Sequence, residues 1–113
     1  MEHKANTAAR RKRTTELYRQ RIGAYLLGHP CVDCGEDDLR VLDFDHREGE
    51  RKVALIGELV RLLVPWLVIE AEIAKCDVRC ANCHRKRTAE VWGWWRHLQQ
   101  LDRDPPAESP AAS

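Results

Sequence analysis

The chain has 113 residues, a formal net charge of +1 and 33% charged residues. That length allows one small domain, and no apolar run approaches the ~18–20 residues of a membrane span. Five cysteines without a signal peptide point to a reducing, cytoplasmic setting, in which paired cysteines bind metal rather than form disulfides.

The small net charge conceals a segregation. Residues 1–25 carry seven Lys/Arg against two acids, residues 35–50 seven acids against two bases, and residues 79–97 five bases against Glu90. Two cationic segments around an acidic one suit a polyanion gripped on both sides of a cation-binding centre, although a charge run is also what a solvated face looks like.

Residues 1–13, with Arg10, Arg11, Lys12 and Arg13 and few apolar side chains, are expected to form a basic arm that is disordered without a partner. From Thr14 the spacing of Tyr18, Ile22, Tyr25 and Leu26 predicts a helix that stops at Gly28. Its tyrosines suit a core better than base stacking. A tight turn follows at Cys31-Val-Asp-Cys34, with Gly35 as its turn residue. Leu39 to Asp45 alternates well enough for a strand, with Leu42 and Phe44 inward, and Arg47 to Lys52 is a charged loop.

Val53 to Val64 reads as a helix with Leu55, Leu59, Leu62 and Leu63 on its inner stripe, broken by Pro65. A second short helix starts at Pro65-Trp66 and buries Trp66, Ile69 and Ile73. Asp77-Val-Arg79 makes one extended step. From about Asn82 a last helix carries Thr88, Val91, Trp92, Trp95 and Leu98 on one face, with Gly93 inside it at a cost of ~1 kcal/mol. The four tryptophans are expected to build the core. Residues 14–101 are thus read as the folded domain, and the Pro-rich residues 102–113 as a disordered tail.

Two stretches carry chemistry. Cys31-x2-Cys34 and Cys80-x2-Cys83 offer four thiolates, a set that closes a tetrahedral zinc site and leaves no open position, so that this zinc would be structural. An iron–sulfur centre or incidental buried cysteines are the alternatives. Cys76 suits a small buried hydrophobe or a spare ligand. Catalysis needs a second, open site. Asp45 and His84 supply a carboxylate and an imidazole that would hold Mg²⁺ or Mn²⁺, and His46 is free to act as general base. A regular strand would turn Asp45 and His46 to opposite sides, so the chain is expected to leave strand geometry there and let all three side chains converge on one ion.

Cys31-x2-Cys34, then Leu-Asp-Phe-Asp45-His46, then Cys80-Ala-Asn-Cys83-His84-Arg-Lys-Arg-Thr88 resembles the zinc-containing branch of the HNH endonucleases, small proteins frequent in bacteriophages and bacteria. The resemblance spans residues 17–90. It implies an α+β fold: a ββα-metal core, stapled by the four-cysteine zinc site and flanked by further helices, in which a two-stranded hairpin carries Asp45 and His46 and a helix carries His84. By position, His46 matches the general base, and Asp45 and His84 match the ligands of the catalytic divalent ion. The middle Asn of the motif is absent, because Lys75 stands where many relatives have it. Asn82 either orients the loop bearing His46 or is a solvated helix-start residue.

The expectation is a metal-dependent endonuclease that hydrolyses DNA phosphodiesters, with Arg85, Lys86, Arg87 and the Arg10–Arg13 run on phosphates. The alternative is a non-catalytic zinc-knuckle protein that binds nucleic acid or assists a phage packaging complex.

Overall fold

The computed structural model describes residues 2–98, with side chains from residue 6. Its elements are α1 (Glu2–Leu27), a 3-10 turn (Leu39–Val41), β1 (Leu42–His46), α2 (Ile56–Arg61), α3 (Trp66–Ile73), β2 (Cys76–Cys80) and α4 (Ala81–Trp92). Helices around a two-stranded antiparallel sheet make this an α+β fold. The expected tail, 102–113, and the end of the expected domain, 99–101, lie outside the described residues.

Residues 2–13 do not form a separate disordered arm. They continue α1 without a break, because no Gly or Pro interrupts the chain before Gly23 and alanines and long charged side chains favour helix. Residues 6–13 are exposed throughout, whereas Tyr18 and Leu26 further along are buried. The helix ends at Leu27, with Gly28 N–H on the Tyr25 carbonyl.

One core cluster joins α1 to α2 and α3 through Tyr18, Ile56, Leu59, Val60, Ile69 and Ile73. Tyr18 packs as a core residue, its hydroxyl donating to the Val64 carbonyl at 2.7 Å. The second cluster joins the end of α1 to the sheet through Leu26, Cys31, Leu42, Val78 and Cys80. Phe44 and Tyr25 pack against both, so the sheet is continuous with the helical core.

Four expectations shift. The predicted strand starts at Leu42, not Leu39, because Asp38 accepts the Arg40 N–H at 3.0 Å and winds Leu39–Val41 into a 3-10 turn. The predicted helix from Val53 starts at Ile56: Val53 N–H is held by Glu72 instead of a helical turn. Its buried stripe is therefore Ile56, Leu59 and Val60, while Leu55 and Leu62 are exposed. α3 matches expectation, with Ile69 fully buried and Ile73 beside it. The tryptophans do not build the core. Only Trp66 packs on it, and Trp92, Trp94 and Trp95 are exposed. Gly93 lies at the end of α4, not inside it, and its φ of 72° is the left-handed cap that stops the helix.

Candidate active site

β1 and β2 pair antiparallel with Leu42 opposite Cys80 and His46 opposite Cys76. Strand alternation then sorts the side chains. Leu42, Phe44, His46, Cys76, Val78 and Cys80 share one face, and Asp43, Asp45, Asp77 and Arg79 share the other. α4 begins where β2 ends and lies against this second face.

The turn from β2 into α4 is a sulfur turn. Cys80 ends the strand and caps the helix, its Sγ accepting the Cys83 N–H at 3.4 Å. The first cysteine pair is brought alongside by Val32 N–H on the Val78 carbonyl at 2.9 Å, and Gly35, at φ 80°, closes its turn onto the Cys31 carbonyl. The ligand atoms of Cys31, Cys34, Cys80 and Cys83 all lie within 4.8 Å of one another. Cys34 Sγ and Cys80 Sγ are 3.7 Å apart. That is far beyond a disulfide bond of ~2.05 Å, and close to the ~3.8 Å edge of a tetrahedron with metal–sulfur bonds of ~2.3 Å. By its donors and spacing the four-cysteine cluster could hold a metal ion. Burial pushes the Cys31 thiol up, but backbone N–H groups of Cys80, Cys34 and Asp33 prevail and bring it down to about 6, while the Cys80 sulfur pushes Cys83 up to about 12, so the sulfurs share few charges until a cation joins them.

Cys76 stands outside this cluster. It is buried, its thiol donates to the Glu72 carbonyl at 3.5 Å, and burial followed by the nearby Glu72 charge pushes it up to about 11. It is a small core side chain and not a spare ligand.

Asp45 and His84 meet as expected. His84 Nε2 lies 3.6 Å from Asp45 Oδ1, and its Nδ1 lies 3.1 Å from Asp43 Oδ2. The imidazole thus stands between two carboxylates of one strand face. Asp45 is 7% exposed and is held on its other oxygen by Arg79 Nη1 at 2.9 Å and Arg87 Nη1 at 3.2 Å. Arg79 also donates from Nε to Asp33 at 2.8 Å, tying this face to the first cysteine turn.

His46 is not part of this group. β1 keeps strand geometry through His46, so the expected departure does not occur, and its imidazole points to the core face. There its Nε2 is 2.8 Å from Glu72 Oε2. A carboxylate can only accept, so the neutral ring carries its proton on Nε2 and keeps its lone pair on Nδ1. Glu72 also accepts Val53 N–H and Lys75 Nζ, each at 3.0 Å. Its burial raises the carboxyl, but these donors outweigh that and hold it down at about 2.

The remaining candidates divide. Arg85 and Lys86 are exposed on α4, and Arg10, Arg11, Lys12 and Arg13 are exposed on α1. Arg87 is turned inward onto Asp45 and is not a free phosphate contact. Asn82 is exposed in the first turn of α4, with no side-chain hydrogen bond among the described residues, so it does not orient the chain around His46.

Sequence reasoning missed Asp43, Arg79 and Glu72. Asp43 shares the parity of Asp45, and Arg79 faces Asp43 across the ladder, so both were accessible from strand alternation. Glu72 sits among Ile69, Ile73 and Cys76 at helical spacing, and a carboxylate inside an apolar stripe is itself a signal. Among the described residues no helix is long and apolar enough to cross a membrane. No family model, curated protein or solved structure matches this chain.

Proposed function

We propose that this chain is a zinc-stapled, metal-dependent nuclease of HNH type that hydrolyses DNA phosphodiesters. The observation that carries the reading is the 3.6 Å approach of Asp45 Oδ1 to His84 Nε2, between a strand and a helix joined at a four-sulfur cluster. Two neighbouring ligands of one ion with bonds of ~2.1 Å stand ~3.0–3.4 Å apart, so this pair, closed by a few tenths of an ångström, would hold a Mg²⁺ or Mn²⁺ ion. Such an ion would supply positive charge to the scissile phosphate and its leaving 3′ oxygen. The four cysteines would hold zinc as a closed structural site, which would fix α4, and with it His84, against β1.

The chain's own groups would do the rest. His46 would take the proton of the attacking water on Nδ1, the nitrogen that Glu72 leaves free, from a ring that lies across β1 from Asp45 and His84. Among the described residues β1 pairs with β2 alone, so its other edge has no ladder partner, and a phosphate lying along that edge would border side chains of both faces. Arg85 and Lys86 hold flanking phosphates, and the basic first half of α1 adds a sequence-independent grip.

Plasmid DNA incubated with the protein in Mg²⁺, in Mn²⁺ and in EDTA tests this. Cleavage is expected with the ions and none with EDTA, and His84→Ala and His46→Ala should each fold and lose at least about a hundredfold in rate. Cutting by His46→Ala at the wild-type rate would remove the base from the scheme.

A second reading is a nucleic-acid-binding module that does not cut. What favours it is that Asp45 already has two guanidinium partners and that His46 lies on the far face. DNA bound without cleavage under all three conditions would establish it.

A further inference from the structure

Large apolar side chains at the end of a small domain are normally drawn into its core, yet three tryptophans within four positions here are not. Trp92, Trp94 and Trp95 are exposed, the last two at 47% and 64%. The backbone around them is specific. Gly93 and Trp95 both take left-handed φ, 72° and 61°, and for a residue with a Cβ that conformation costs ~1–2 kcal/mol. Trp94 N–H returns to the Ala89 carbonyl at 2.8 Å, the bond that closes the left-handed cap of α4 and turns the chain there.

That reversal sets two indoles astride one row of polar side chains. Trp94 lines a cavity of about 500 Å³ with Asp43, Asn82, His84 and Arg85. Trp95 lines a neighbouring cavity of about 490 Å³ with Asn82, Arg85 and Lys86. Asn82 and Arg85 border both. Both are open depressions of the surface, which would leave one face of a planar ligand in solvent.

We infer that Trp94 and Trp95, on either side of Asn82 and Arg85, stack unpaired nucleobases, so that the preferred substrate is a single-stranded or locally opened stretch of nucleic acid. Three properties converge on that ligand. An indole face accepts any base, and sequence-tolerant stacking is how single strands are commonly held. Arg85 and Lys86 supply cations for the phosphates between bases, whereas a core-seeking protein partner would find this surface charged. Asn82, which has no structural partner among the described residues, offers both donors and acceptors to a base edge. In a duplex the base faces are covered by their neighbours, so these indoles would have nothing to stack upon.

The inference rests on the nucleic-acid part of the proposed function and not on cleavage. Binding is therefore measured on the zinc-loaded full chain without added Mg²⁺ or Mn²⁺, using an oligo-dT strand and a duplex of the same length. Trp94→Ala and Trp95→Ala, both at exposed positions, should keep the wild-type circular dichroism. Each should weaken oligo-dT binding by about tenfold and change duplex binding by less than about twofold. Single-strand binding at wild-type strength in both variants would overturn the stacking site. So would equal losses on strand and duplex, or a wild-type dimer that the two substitutions convert to monomer, since the indoles would then face a second copy. Normal stacking in a chain that never cuts plasmid would overturn hydrolysis alone, and normal cutting without stacking would overturn this site alone.

Discussion

The two faces of β1 each bury one carboxylate, and they do so in different ways. On the core face Glu72, from α3, is fixed by a backbone N–H, an ammonium and an imidazole. On the α4 face Asp45 is fixed by Arg79 and Arg87 and approached by His84, all of them side chains. A backbone donor cannot leave without unfolding its loop, whereas a guanidinium can swing to a phosphate and release the carboxylate. The core face is therefore built to stay, and the α4 face is where partners can be exchanged for ligands.

The largest effect is expected from the sulfur cluster that holds the two faces in register. Structural zinc in small domains contributes on the order of 10 kcal/mol of folding free energy, so Cys80→Ser or stringent chelation should release α4 and the first cysteine turn. The cluster built on Tyr18, Ile69 and Ile73 contains no cysteine. Hydrogen exchange should therefore show α4 amides losing protection first, with α1 and α3 amides keeping theirs longer. Simultaneous loss everywhere would show that the two halves are one cooperative unit.

Next comes Glu72→Gln. With its carboxyl held at about 2 against an ordinary value of 4.5, Glu72 contributes at most about 3 kcal/mol to stability above pH 5. The group is depressed in the folded state, so its contribution is complete above the unfolded value and disappears as pH falls from about 4.5 towards 2. The stability difference between wild type and Glu72→Gln, from denaturant melts, should be constant above pH 5 and shrink towards zero in that window. Metal release in acid acts on both proteins alike, so their difference isolates the carboxylate. A gap independent of pH down to 2 would mean that Glu72 acts through packing alone.

The cap is a smaller matter. Gly93→Ala places a Cβ at φ 72° and against the Arg96 side chain, which can move aside, so a loss of about 1 kcal/mol in thermal melts is expected. The same variant would shift Trp94 and Trp95, coupling a minor stability effect to single-strand binding.

What could be read from the chain follows the reach of each signal. The cysteine pairs were legible because their spacing encodes a local turn, and α3 was legible because Ile69 and Ile73 repeat with the helix. The start of α2 was not, since it depends on Glu72, nineteen residues away, claiming the Val53 N–H. The tryptophans misled because aromatic size predicts burial only where the chain can carry the ring inward, and the reversal at Gly93 carries Trp94 along the surface. For His46 the sequence held both answers. Strand parity placed it opposite Asp45, as observed, while the expected convergence on one ion required that parity to break, and β1 keeps it through its last residue.

The smallest stability effect should accompany the clearest change in binding. Asp45→Asn removes a charge whose partners are all side chains, and Arg79 keeps Asp33 as a second carboxylate at 2.8 Å. The loss in melts should be under about 1 kcal/mol, far below the 3–5 kcal/mol of breaking a sealed buried pair, because Arg87 can reach water. Cleavage should be abolished, since one of the two proposed ion ligands becomes a poor one. DNA binding should instead tighten, because a negative charge disappears from a basic face and Arg87 is freed for phosphate. The slope of log affinity against log salt should steepen by about one phosphate contact. Weaker binding by Asp45→Asn would mean that the guanidiniums need their carboxylate to stay ordered, and that the α4 face is as fixed as the other.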